Sequence, residues 1–112
     1  MLTLSQIIMT KLTILEEYLK ESPDDPFLHF AIAKEHEKME NWDQALDKYA
    51  YLAEKHPDYV GTYYHYGLLR FRLNQIQPAR EIVELGIQHA TQQKDSHSAN
   101  ELRDLLQQIE FS

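Results

Sequence analysis

Six histidines, eighteen carboxylates and no cysteine make up the residues of this 112-residue chain that could do chemistry. His29 and His36 lie two helical turns apart, and Glu40 lies one turn beyond His36, so a helix would place them on one face. Zinc asks for three or four converging ligands, and neither an H-E-x-x-H pair nor a thiolate set is present. Histidines spaced in this way read as packing residues, and no metal site is assigned. The chain has no glycine-rich phosphate loop, no nucleophile motif and no isolated carboxylate pair in an apolar setting. Glu16-Glu17, Asp24-Asp25 and Glu35/Glu37 read as solvated faces or helix-start charges. No catalytic residue and no cofactor is expected.

Composition bounds the remaining functions. The net charge of −7 disfavours a nucleic-acid partner, because phosphate binding relies on a basic face. No apolar run approaches the roughly 20 residues of a membrane span, and the opening MLTLSQIIMTKLT lacks a signal-peptide pattern. These features, with the absence of cysteine, predict a cytoplasmic protein with no membrane partner.

The elements that must position these side chains are helices. Three glycines and an abundance of Leu, Ala, Glu, Gln and Lys predict an all-α protein of about six helices. Thr3 and Gln6 form a capping box for the first helix. Leu4, Ile8, Leu12, Leu15 and Leu19 recur along it, with Ile7, Ile14 and Tyr18 widening the stripe, and Ser22-Pro23 ends it. Asp25-Pro26 starts a helix reaching Met39. Asn41 precedes another whose buried stripe is Trp42, Ala45, Leu46, Tyr49 and Leu52. The next runs from Val60 to Leu73. A fifth carries Ile76, Ala79, Val83, Gly86 and Ile87 to about Gln93, with Pro78 in its first turn. A last helix repeats Leu102, Leu105, Leu106 and Ile109 on one face.

One period organises the series. Ala79 stands 34 residues after Ala45, Pro57 stands 34 after Pro23, and Gly67 stands 34 after Ala33. That return is the mark of stacked two-helix hairpins. Small residues (Ala33, Ala45, Gly67, Ala79) let antiparallel helices approach. Large ones (Trp42, Tyr49, Tyr63, Tyr66) fill the gaps between hairpins.

In this order of residues the chain resembles the tetratricopeptide repeat family, whose pattern is Trp-x2-Leu-Gly-x2-Tyr, Ala-x3-Phe and Pro. In a first copy, residues 26–59, the positions Ile32, Ala33, Ala45, Tyr49 and Pro57 fit or conservatively replace the pattern, while His29 and His36 depart from it. In a second, residues 60–93, Tyr63, Gly67, Ala79 and Val83 fit in type, whereas Tyr66, Arg70 and Thr91 differ. Residues 1–22 would be a helical half-repeat, and residues 96–110 a helix that either caps the last hairpin or occupies a partner's groove. The resemblance implies one domain over residues 1–112: antiparallel hairpins in a short right-handed superhelix.

It also implies a concave groove, lined by the first helix of each hairpin, that binds a peptide or helix of another protein. Carried onto this sequence, the groove positions are Phe27, Phe30, Lys34, Glu37 and Lys38, then Gly61, Tyr64, His65, Leu68, Phe71 and Arg72. They would make an aromatic-apolar strip edged by positive charge. Members that clamp the carboxylate tail of heat-shock chaperones place Lys and Asn along these helices. Phe30, His65 and Leu68 are not those residues, and neither groove helix carries Asn, which argues against that ligand. The expected role is a protein-interaction adaptor. The alternative is a homo-oligomer, a dimer formed through the aromatic groove or an end helix.

Overall fold

The computed structural model describes residues 1–112 and contains six helices: α1 (Leu4–Glu21), α2 (Pro26–Lys38), α3 (Trp42–Lys55), α4 (Gly61–Arg72), α5 (Ile76–Gln92) and α6 (Ser96–Glu110). None is long and apolar enough to cross a membrane. The chain divides into two compact units, residues 1–52 and 53–112.

Local chemistry explains where the helices start and stop. Thr3 and Gln6 form the expected capping box on α1, and the Asp25 carboxylate accepts from the Phe27 amide at the head of α2. Asp95 caps α6 by accepting from the Ser98 amide. Hydrogen bonding from the Ser98 side chain first, and from its backbone amide second, holds the Asp95 carboxyl below its ordinary value. Three turns close on a left-handed residue, Glu40 (φ 59°), Asn74 (φ 62°) and Lys94 (φ 59°). After each, the next amide bonds back to a carbonyl of the finished helix: Asn41 to His36, Gln75 to Arg70 and Asp95 to Ala90, each at 2.9 Å. Glu40, Asn74 and Lys94 also bond to Glu37, Phe71 and Thr91, the paired bonds of a Schellman closure.

In the first unit α1 packs on α2, and Ile8, Leu28, Ile32, Ala33, Ala45, Tyr49 and Leu52 are buried. In the second, α5 packs on both α4 and α6. Its core is Val60, Tyr63, Ala79, Val83, Ala90, Ala99, Leu102, Leu105 and Ile109. Ala33, Ala45 and Ala79 are fully buried, as the hairpin period requires. Gly67 shows why: a Cβ there would lie 2.5 Å from Val83 Cγ2, so the bare α4 backbone packs directly on the Val83 side chain of α5.

Three expectations need correction. Trp42, placed in a buried stripe, is 36% exposed; it is the first residue of α3, so no preceding helical turn lies beneath its ring. Leu4, Ile7, Ile14 and Tyr18 of α1 are exposed too, because α2 takes the adjacent face of that helix. Glu35 is buried rather than solvated, its carboxylate 3.1 Å from Lys38 Nζ.

Candidate functional site

On α2, helical spacing sets Phe27, Phe30, Lys34, Glu37 and Lys38 along one broad face. Phe27 is exposed. Phe30 is half-buried, its ring centroid 6.2 Å from that of Tyr49 on α3. Neither lysine stands apart from a carboxylate: Lys34 Nζ lies 4.0 Å from Glu37 Oε2, and Lys38 Nζ lies 3.1 Å from Glu35 Oε1. The Tyr49 hydroxyl donates to Glu37, and burial above all, with the Glu37 bond and charge adding, pushes that hydroxyl far above its ordinary value. This half of the strip is therefore aromatic and internally charge-balanced.

His29, at the edge of this face, is buried, its ring centroid 4.2 Å from that of Tyr51 with the two planes tilted by 32°. Its Nε2 lies 2.7 Å from the Pro23 carbonyl, which can only accept, so Nε2 carries the proton and Nδ1 receives Lys48 Nζ at 3.3 Å. The packing role expected for this histidine is the one it has. His36 lines a cavity of about 300 Å³ with Glu16, Leu19, Lys20, Ile32 and Lys48. Burial lowers the His36 pKa, opposed by the Glu16 charge and aided by Lys48. Lys20 pairs with Glu17 at 3.0 Å, and Lys48 is engaged by His29. That cavity therefore offers no uncommitted cation to a ligand. No group of three or more His, Cys, Asp or Glu side chains converges as metal ligands would.

In the second unit the named positions gather around a distinct feature. Gly61, Tyr64 and His65 of α4, with Val60, line a cavity of about 230 Å³, whose far wall is Ser98, Glu101 and Leu102 of α6. Tyr64 and His65 meet edge to face at 5.5 Å. Glu101 Oε1 lies 3.1 Å from His97 Nε2 on the exposed side of α6. Tyr64, Leu68 and Phe71 also rest against the core of this unit, so each presents only part of its surface. Arg72 is exposed at the end of α4.

The cavity brings together Gly61, Tyr64 and His65 but not Leu68, Phe71 or Arg72. Ser98 and Glu101 lie outside the expected groove, because the sequence presents α6 only as a cap or as a detachable helix. The signal for Ser98 is in the period, since it stands 34 residues after Tyr64, as Tyr64 does after Phe30; Glu101 falls at the register of Ala33 and Gly67 and has no such signal.

Chemically, the cleft presents two aromatic side chains, a hydroxyl, a carboxylate and apolar Val60 and Leu102. It can seat one side chain and hydrogen-bond to the backbone on either side of it.

No family sequence profile matches the chain, and no curated protein does. Solved structures do. A tetratricopeptide repeat domain protein from Salinibacter ruber, solved by NMR, is 40% identical, with a TM-score of 0.75 over 79% of this chain and 89% of that one. Its crystal structure gives 40% identity and a TM-score of 0.73 over 77% and 96%. The TPR2B domain of yeast Sti1, solved as a pHsp70 complex, is 18% identical, with a TM-score of 0.82 over 95% of this chain and 90% of that one.

Proposed function

Because the chain belongs to the tetratricopeptide repeat family, we propose that it is a non-enzymatic adaptor that holds a peptide or helix of another protein. The observation that carries this reading is the α4–α6 cleft, where Tyr64, His65, Ser98 and Glu101 surround an opening of about 230 Å³. A space of that size takes one large side chain. Aromatic walls supply contact area at little entropic cost, and the hydroxyl and carboxylate orient the bound chain. Within the same unit, exposed Arg72 at the end of α4 offers a further polar contact. A peptide-type ligand accords with the pHsp70 complex of the Sti1 domain. The ligand itself would differ from the chaperone tail, since α2 and α4 carry no asparagine.

The test is selection from a random dodecamer library displayed on phage, then titration of the selected peptides into 15N-labelled protein. The amides of Gly61, Tyr64, His65, Ser98 and Glu101 should shift together, and Tyr64→Ser with Glu101→Gln should abolish the shifts while leaving the helical circular dichroism intact. Selected peptides that perturb only residues remote from this cleft, or that bind the double variant equally well, would refute the assignment.

A further inference from the structure

The α4–α6 cleft differs in charge from two other cavities of similar size. Its lining holds one carboxylate, Glu101, and neither lysine nor arginine. A cavity of about 240 Å³ at the α5–α6 turn sets Lys94 and Arg103 against Asp95. The His36 cavity sets Lys20 and Lys48 against Glu16. Of the three, the α4–α6 cleft alone is negative.

Its hydrogen-bonding groups are equally one-sided. Glu101 Oε1 lies 3.1 Å from Nε2 of the exposed His97, and Oε2 takes no bond from the chain. The Ser98 hydroxyl bonds to Asp95. An ionised carboxylate can only accept, so the hydroxyl gives its proton there and turns lone pairs alone to any other partner. The side chains of α6 therefore bring acceptors and no donor to the opening. Across from them Tyr64 brings an aromatic ring, a group that draws cations.

Two features oppose a cation, and both are smaller. The N-termini of α4 and α6 each carry about half a positive charge. Asp95 caps α6, and the Thr62 and Tyr63 amides of α4 already bond to the Tyr59 and Val60 carbonyls at 3.2 Å. A full carboxylate outweighs what remains. Arg70, the nearest cation further along α4, stands five residues beyond His65, about 7.5 Å along the axis, with its guanidinium on Gln75.

We propose that the cleft is a pocket for a basic side chain, arginine above all, so that the polypeptide it takes is one with an exposed arginine. A guanidinium carries N–H groups for Glu101 and Ser98 together, and its flat face suits Tyr64; lysine brings a compact charge without that plane. The net charge of −7 draws a basic partner at long range. The assignment rests on the peptide-binding reading of this cleft and adds to it the chemistry of the residue that is bound.

The probes are acetylated pentapeptide amides, Ala-Ala-X-Ala-Ala, with arginine, lysine, citrulline, leucine or glutamate at X. Each is titrated into the 15N-labelled full chain. Arginine should bind most tightly and lysine next. Arginine should exceed citrulline, its uncharged isostere, by about fivefold, the upper end for an ion pair that still meets water. In Glu101→Gln the arginine and citrulline peptides should bind alike, with the helical circular dichroism of the parent. Leucine or citrulline bound as tightly as arginine, or an arginine preference that survives Glu101→Gln, would overturn the basic pocket. Shifts of the Gly61, Tyr64 and Ser98 amides would in that case leave the peptide reading standing. An arginine peptide that moves none of those amides would also overturn the pocket, and the phage-selected peptides would then decide the peptide reading by themselves.

Discussion

Replacing Gly86 with alanine is the sharpest test of how closely the helices of the second unit approach. A Cβ at this position would lie 2.9 Å from Tyr63 Cγ, closer still to Tyr63 Cβ, and 3.1 Å from Leu102 Cδ1. Carbon atoms rest at about 3.5–4.0 Å, so the neighbours must give by roughly 0.6–1.1 Å. Leu102 can turn its methyl aside. Tyr63 cannot yield easily: it is fully buried, its hydroxyl donates to the Pro57 carbonyl at 2.7 Å, and its ring stacks on His89 at 5.5 Å. Overpacking of this kind falls at the upper end of about 1–3 kcal/mol. Alanine returns about 1 kcal/mol through its better helix propensity. The net expectation is a loss of about 2 kcal/mol, which at roughly 3–6 °C per kcal/mol lowers Tm by about 6–12 °C. Gly61→Ala is the internal control, since the nearest atom to its new Cβ is Tyr59 Cε2 at an ordinary 3.9 Å. That variant should match or slightly exceed the parent. Urea titration followed by far-ultraviolet circular dichroism measures both. Equal stability of the Gly86 and Gly61 variants would refute the close approach of α4, α5 and α6 on which this core is built.

The other expectations concern turns and titrating groups. Glu40 and Lys94 hold left-handed backbone at φ 59°, which strains an L-residue by about 1–2 kcal/mol. After the larger unfolded-state entropy of glycine is subtracted, Glu40→Gly and Lys94→Gly should each add about 0.5–1 kcal/mol, seen as a later thermal midpoint. Tyr49 and Tyr63 are both held above the ordinary tyrosine value, chiefly by burial. Because the folded values are raised, their contribution is complete below the unfolded value of about 10 and is lost as pH climbs past it toward the folded ones. Stability should therefore fall above about pH 10, and Tyr49→Phe with Tyr63→Phe should flatten that fall in alkaline urea titrations. At neutral pH, Tyr49→Phe should cost about 1.5–3 kcal/mol for the lost bond to Glu37; an unchanged urea midpoint would contradict the bond.

Much of this protein is written locally. Thr3, Gln6, Asp25 and Pro26 mark helix starts through rules that act within four residues. Ala33, Ala45, Gly67 and Ala79 announce their burial through a 34-residue period, because only small side chains let hairpin helices touch. That pattern sufficed to place Gly61, Tyr64 and His65 on one helix. It did not join them to Ser98 and Glu101, since that depends on α6 folding back beside α4. Nor did it reveal that Glu35 is buried, that Glu37 receives the Tyr49 hydroxyl, or that α1 leaves an apolar row in solvent. Periodicity tells which residues share a face of a helix; it is silent on whether a neighbour arrives to cover that face. On α1 two adjacent faces are apolar, α2 occupies one, and only the tertiary packing decided which, because a single helix of that width cannot cover both.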